Sequence, residues 1–149
     1  MNVSRIGFLG AGGIARAHAY ALQALKFYYP GIPPVVFESV CSARKESRDD
    51  FARLFGFNQA QSMTDFVRNQ NLDTVLIMGP NHTHFEHFKA VSEMPSVKRI
   101  YLEKPVCSSE QEEREMDRIF RDCGKQVQVG FQYLQTPAVR EALSFWKSG

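Results

Sequence analysis

The sequence predicts an α/β domain, a doubly wound parallel sheet covered on both faces by helices in three αβα layers. Short apolar runs rich in β-branched residues alternate with stretches whose apolar residues recur at helical spacing, and short connections join them, the pattern of strand-helix-strand units. The first run leads into Ile6-Gly7-Phe8-Leu9-Gly10-Ala11-Gly12-Gly13-Ile14-Ala15, in which Gly10, Gly12 and Ala15 fit G-x-G-x-x-[GA]. Residues able to bind or react stand just past the ends of the apolar runs, at Gly10 to Gly13, Ser42 to Lys45, Gly79 to His84 and Glu103 to Pro105. Those are the positions where ligands gather in such sheets. A chain of 149 residues suffices for a single domain with its own core, so residues 1–149 are read as one dinucleotide-binding domain.

Val3 to Leu9 reads as a buried strand that ends in glycine. Ile14, Ala17, Ala21, Leu22 and Leu25 then recur at helical spacing, and Pro30-Gly31 and Pro33-Pro34 stop that helix. Val35 to Cys41 is a second strand; Ser47 and Asp50 suggest a cap for a helix through Phe55, which Gly56 closes. Thr64 or Asp65 would start a shorter helix running to Gln70. Leu72 to Met78, apolar on both faces, reads as a central strand, and His84 to Met94 as a helix with Phe85, Phe88 and Val91 on one side. Arg99 to Leu102 is the next strand, followed by a charged helix from a Ser108 or Ser109 cap to Cys123, ending at Gly124. Gln126 to Phe131 is the last strand, and Pro137 opens a terminal helix carrying Leu143 and Trp146.

Composition excludes several classes of function. A net charge of +2 is too small to argue for nucleic acid or an acidic membrane surface as a partner. Cys41, Cys107 and Cys123 are odd in number and form no C-x-x-C pair, so neither a disulfide framework nor a zinc ribbon is suggested, and a reducing cytoplasm is the expected compartment. No basic segment followed by a long apolar one opens the chain, so a soluble, unprocessed protein is expected.

The glycine turn has a chemical reading. Gly10 makes the tight turn, and Gly12 lets backbone approach a pyrophosphate. The helix starting near Gly13 aims its unpaired N–H groups and positive dipole end at the anion, so Gly10, Ala11, Gly12, Gly13 and Ile14 form a phosphate cradle without a basic side chain. After the second strand, NAD-binding domains usually place a carboxylate for the ribose hydroxyls, whereas this chain has Ser42, Arg44 and Lys45. A hydroxyl and two cations favour a 2'-phosphate and hence NADP over NAD; the competing reading is that both cations are solvated loop charges. Glu38 is acidic but lies mid-strand.

In Gly79-Pro80-Asn81-His82-Thr83-His84 the turn brings backbone near a ligand, and Asn81 and His84 offer hydrogen bonds. His82, His84 and His87 also invite a metal reading, but no carboxylate or cysteine stands at ligand spacing, so no metal site is assigned. Glu103-Lys104-Pro105 follows a strand directly. Burial beside a cationic nicotinamide would lower the pKa of Lys104, as a proton-transferring lysine needs, and a cis Lys104-Pro105 bond would fix its direction. Cys107 has no histidine nearby in sequence and is set aside as a nucleophile.

Together these stretches resemble the N-terminal domain of the glucose-fructose oxidoreductase and inositol dehydrogenase family. The resemblance rests on Gly10 to Ala15 with His18, Arg44 ahead of Phe55-Gly56, Asp73-Thr74-Val75 leading to Pro80-Asn81 and His84, and Glu103-Lys104-Pro105. It continues through Val129-Gly130-Phe131-Gln132 to Pro137 and Lys147-Ser148-Gly149. It implies an NAD(P)-dependent oxidoreductase acting on a sugar, polyol or related compound, with Lys104 as the catalytic lysine and Gln132 on the nicotinamide side. Leu134 stands where many members carry an arginine. The resemblance also implies a second α/β domain, absent from this chain, that supplies catalytic Asp and His residues and the contacts of a homo-oligomer. The chain is therefore read as an isolated cofactor domain, inactive alone. A non-catalytic dinucleotide sensor is the alternative, and an S-adenosylmethionine methyltransferase is disfavoured by Ser42 in place of an acidic residue.

Overall fold

The computed structural model describes residues 3–148; Met1, Asn2 and Gly149, which fall within the expected domain, lie outside them. The strands are β1 (Ser4–Leu9), β2 (Val35–Cys41), β3 (Gln59–Gln61), β4 (Thr74–Ile77), β5 (Arg99–Leu102) and β6 (Gln126–Val129). The helices are α1 (Gly13–Tyr28), α2 (Lys45–Phe55), α3 (Met63–Phe66), α4 (His84–Ser92), α5 (Glu110–Asp122) and α6 (Pro137–Ser148), with 3-10 turns at Asn81–Thr83 and Gln132–Gln135. The sheet is six-stranded in the order β3-β2-β1-β4-β5-β6, and every pair is parallel. This is the doubly wound, Rossmann-like sheet the sequence predicts, and its order reverses between β1 and β4.

Alternation along each strand divides the core between the two faces. Phe8 of β1 and Leu76 of β4 pack with Ala15 and Ala19 of α1 and Phe51 of α2. Leu9, Val75 and Ile77 point the other way, against Phe66 of α3, Phe88 and Val91 of α4 and Met116 of α5. Ala15 and Ala19, four residues apart and both fully buried, let α1 lie close on the sheet. Among the described residues no helix is long and apolar enough to cross a membrane.

The departures from expectation have local causes. β3 is invisible to patterning because Gln59-Ala60-Gln61 carries no apolar run; it forms by pairing with Ser39, Val40 and Cys41, helped by the Ser39 hydroxyl donating to Gln61 Oε1 at 2.7 Å. α3 starts at Met63 because Ser62 caps it, accepting from the Asp65 amide at 3.3 Å. It ends at Phe66 rather than Gln70, and Asn69 beyond it folds back, donating to Gln61 Oε1 at 3.1 Å and accepting from the Asn71 amide. α2 begins at Lys45, ahead of the expected Ser47 cap, with no side-chain cap at Arg44. Gly56 does close it, at φ +77°. Ser109 caps α5, accepting from the Glu112 amide at 3.2 Å. β6 stops at Val129, where the Phe131 amide turns back onto the Val129 carbonyl at 2.8 Å. α6 forms as expected, but none of its side chains is buried among the described residues, Trp146 being 77% exposed.

Phe8 is fully buried, with its ring centroid 5.0 Å from Phe57 and 5.9 Å from Phe37, both edge-on. Phe8→Ala is expected to lower unfolding free energy by about 3–5 kcal/mol. Urea denaturation checks this; a loss of only about 1 kcal/mol, the size of a volume-conserving core swap, would show that α1 and α2 are not held through this ring.

Candidate nucleotide cleft

A cleft of about 760 Å³ opens at the carboxyl ends of β1, β2 and β4, at the reversal of strand order. Its floor is Gly10 to Ile14, one wall is Cys41 to Arg44 with Ser47, Arg48, Ser62 and Met63, and the other is Met78 to Pro80 with His82, Thr83 and His87. The two inner glycines of the turn have different reasons to be glycine. Gly10 has φ +128°, and a Cβ there would sit 2.7 Å from the backbone C and O of Met78, so the fold itself demands it. Gly12 has φ −88°, open to any residue, and a Cβ there would meet nothing within 4 Å. Among the described residues nothing needs that space kept clear. Gly12 is also the N-cap of α1, with no side-chain cap and no acidic residue in the first turn, so the first N–H groups of the helix stay available to an anion.

The β2 wall carries positive charge and no carboxylate among its lining residues. Ser42 lines it, but its hydroxyl proton goes to the Arg44 carbonyl at 3.2 Å, closing the turn instead of pointing a donor at a ligand. Lys45 does not line the cleft and is paired with Asp49 one helical turn on. Arg44 lines it, and so does Arg48, which the sequence reading passed over. Glu38 is buried and held by Arg5 at 3.0 Å and Asn58 at 3.0 Å, so it is structural.

The residues past β4 and β5 are tied together from beneath. His84, 1% exposed, has Nδ1 2.7 Å from the Pro105 carbonyl and Nε2 2.9 Å from the Gly79 carbonyl, so it bridges two loops and does not line the cleft. Glu103 is buried; its Oε1 accepts from the Tyr101 hydroxyl at 2.9 Å and lies 3.0 Å from His18 Nε2, while Oε2 accepts from the Lys104 amide at 3.1 Å. A Cβ on Gly130 would overlap the Tyr101 hydroxyl and come within 3.0 Å of Glu103 Oε1, which accounts for glycine at that position. The Lys104-Pro105 bond is cis. Lys104 itself is exposed, so the burial expected to tune it is not supplied within the described residues. Asn81 and Gln132 begin the two 3-10 turns and are exposed, outside the cleft lining.

Burial pushes the Glu103 carboxyl up, but the bonds from His18, Tyr101 and the Lys104 amide outweigh it and hold it below its ordinary value. Burial, reinforced by His84 and His82, holds His87 below the usual histidine value, favouring the neutral ring. Among the described residues the buried side-chain polar atoms without a partner are Arg48 Nε, His87 Nδ1 and Ser96 Oγ, and the first two belong to residues of this cleft. Both atoms are enclosed in the walls and are not presented to the open cleft. His82, His84 and His87 do not form a metal cluster: among the described residues no three His, Cys, Asp or Glu side chains are placed to hold an ion.

Sequence reasoning missed Arg48 and Ser62, met His87 only within the metal reading, and did not join His18 and Glu103 with Tyr101. Arg48 stands four residues beyond Arg44, a helical spacing that was legible, whereas His18 and Glu103 are 85 residues apart and only the fold joins them.

Because Glu103 is depressed in the fold, its contribution to stability is present above the unfolded value near 4.5 and is lost as pH falls through the folded value. Glu103→Gln is expected to flatten the acid limb of the stability curve below about pH 4.5, the ordinary range of a glutamate. Thermal unfolding between pH 3 and 7, on the order of the carboxylate range, checks it; parallel curves for the two proteins would remove Glu103 from that role.

The chain matches the oxidoreductase family with an NAD-binding Rossmann fold over residues 4–131. It is 30% identical to levoglucosan dehydrogenase of Pseudarthrobacter phenanthrenivorans over 151 aligned residues, covering 100% of this chain and 38% of the relative. The structure superposes on levoglucosan dehydrogenase in complex with NADH and levoglucosan with a TM-score of 0.90 at 29% identity, over 99% of this chain and 40% of that one. It superposes equally on an NAD-binding oxidoreductase from Klebsiella pneumoniae, with a TM-score of 0.90 at 27% identity, over 99% of this chain and 39% of that one. The chain thus spans about two fifths of the length of these relatives. The glycine turn, the six-stranded parallel sheet and the Glu103-Lys104-Pro105 loop all fall within the matched residues, and the chain belongs to the glucose-fructose oxidoreductase and inositol dehydrogenase family of oxidoreductases.

Proposed function

We propose that this chain is the cofactor-binding part of an NAD(P)-dependent oxidoreductase that moves hydride between a nicotinamide and a hydroxyl or carbonyl carbon of a sugar or polyol. The observation that carries this reading is Gly12, a glycine that neither its backbone angles nor any neighbour requires, facing open space at the start of α1. The residues fit a dinucleotide. Gly10 to Ile14 offer backbone donors to a diphosphate, Arg44 meets the adenosine end, and Gly79 and Pro80 form the opposite wall. The bound nicotinamide would supply the hydride acceptor or donor. His84 and Glu103 shape that side from beneath, His84 holding the Gly79 and Pro105 carbonyls in place and Glu103 fixing the Lys104 amide, while Asn81 and Gln132, exposed beyond the cleft lining, would meet the nicotinamide only from its rim. Lys104, projecting from this braced loop, hydrogen-bonds the reacting oxygen and carries its proton. The sugar or polyol class is supported by the relatives, one of which binds levoglucosan.

A preference for NADP is supported by the cleft's chemistry. A ribose 2'-hydroxyl wants an acceptor such as a carboxylate, and the lining has none; a 2'-phosphate wants cations, and Arg44 is there. Ser42 contributes through the turn it closes, and Lys45 only through the general positive field, since it is paired with Asp49.

Gly12→Val is expected to unfold at nearly the same temperature and yet to bind NADH and NADPH at least about tenfold more weakly, a change of about 1.4 kcal/mol. Fluorescence titration with both reduced cofactors checks it; unchanged affinity would place the diphosphate elsewhere and end this reading. Arg44→Ala is expected to weaken NADPH binding by about 1.5–3 kcal/mol at low ionic strength while leaving NADH nearly untouched. Equal losses for the two cofactors by calorimetry would show that Arg44 meets no 2'-phosphate.

A further inference from the structure

The Glu103 carboxylate is buried where four parts of the fold meet. Its backbone amide donates to the Ile77 carbonyl at 3.0 Å, which fixes the loop after β5 against the end of β4. Its side chain then takes donors from separate elements. Oε1 accepts from the Tyr101 hydroxyl of β5 at 2.9 Å and lies 3.0 Å from Nε2 of His18, in the second turn of α1. Oε2 accepts from the Lys104 amide at 3.1 Å. The turn after β6 closes the cluster, since a Cβ on Gly130 would overlap the Tyr101 hydroxyl. Facing a carboxylate, His18 Nε2 carries the proton and donates. Burial and the bond to Glu103 push the Tyr101 phenol up, so it too stays a donor. The His18 and Tyr101 rings pack edge-on with centroids 4.9 Å apart, so the two donors reach the same oxygen as one unit.

A buried carboxylate is a weak way to add stability, because its desolvation offsets what its bonds contribute. What it supplies is direction. With two donors fixed on Oε1 the carboxylate holds one orientation, and Oε2 then holds the Lys104 amide, while His84 Nδ1 holds the Pro105 carbonyl at 2.7 Å on the far side. We infer that His18 and Tyr101 are positioning residues for the loop that carries Lys104: they orient Glu103, and through it the seat of the nicotinamide end of the dinucleotide. The inference rests on the dinucleotide reading above and extends it to two residues that do not line the cleft.

The test uses the purified chain with NADH and with ADP-ribose, which shares the adenosine diphosphate but lacks the nicotinamide. Calorimetry gives both affinities for wild type, His18→Leu, His18→Gln and Tyr101→Phe; nuclear magnetic resonance follows the Lys104 amide proton, and circular dichroism melts control for folding. In wild type that proton is expected downfield, as a donor to a carboxylate, and to shift with NADH but not with ADP-ribose. In His18→Leu and Tyr101→Phe it is expected to move upfield. NADH binding then weakens at least about fivefold and ADP-ribose binding changes less than about twofold, since a bond to a charged group is lost only at the nicotinamide end. His18→Gln, whose Nε2 can reach the same oxygen, is expected to recover most of both readouts.

An amide proton unmoved in both His18→Leu and Tyr101→Phe would overturn the inference, as would unchanged NADH affinity or a His18→Gln protein no better than His18→Leu. Equal losses of NADH and ADP-ribose would overturn it too, assigning both residues to general support of the fold. A wild-type chain that bound NADH no more tightly than ADP-ribose would overturn it and leave the dinucleotide reading standing. One that bound neither would overturn both. Should His18→Leu fail to fold, Tyr101→Phe, which removes one hydroxyl from an intact ring, decides in the same way.

Discussion

The approach of Gly10 to the end of β4 is the constraint from which the site follows. Its amide donates to the Cys41 carbonyl at 2.9 Å, and the neighbouring Met78 amide donates to Leu9 at 2.8 Å, so the turn is pinned between β2 and β4 where the strand order reverses. The missing Cβ is what allows that proximity. With the chain held there, α1 must start within a few residues, and its first N–H groups face the cleft and not the sheet. A side chain at Gly10 would push β1 and β4 apart and close the helix start off from the opening.

A second set of contacts positions the reactive end. His84 ties the loop after β4 to the loop after β5, and Glu103 ties α1, through His18, to the backbone of Lys104. The helix that offers its N-terminus to an anion and the loop that presents the lysine are thereby braced against one buried carboxylate. The buried His84 and Glu103 hold the geometry of the loops, and Lys104 stands exposed on the loop they brace.

Much of the fold was legible because its signals are local. Val35–Cys41 and Arg99–Leu102 form the expected strands, and Gly56 and Ser109 end and begin helices as their chemistry dictates. β3 was not legible, because Gln59-Ala60-Gln61 becomes a strand only by lying along Ser39 to Cys41. The glycine cradle could be read in the sequence, but the reasons behind its two inner glycines could not: one is glycine for Met78, the other for empty space.

The order of residues was enough to establish a parallel α/β sheet, a phosphate-sized turn after its first strand and a cationic stretch after its second, since each depends on neighbours a few positions apart. Which cations remain free is a matter of folding: Lys45 meets Asp49 along one helix face, while Arg48 turns into a wall without carboxylates. Charges cancel by distance in space, and distances of that kind exist only once the chain has packed.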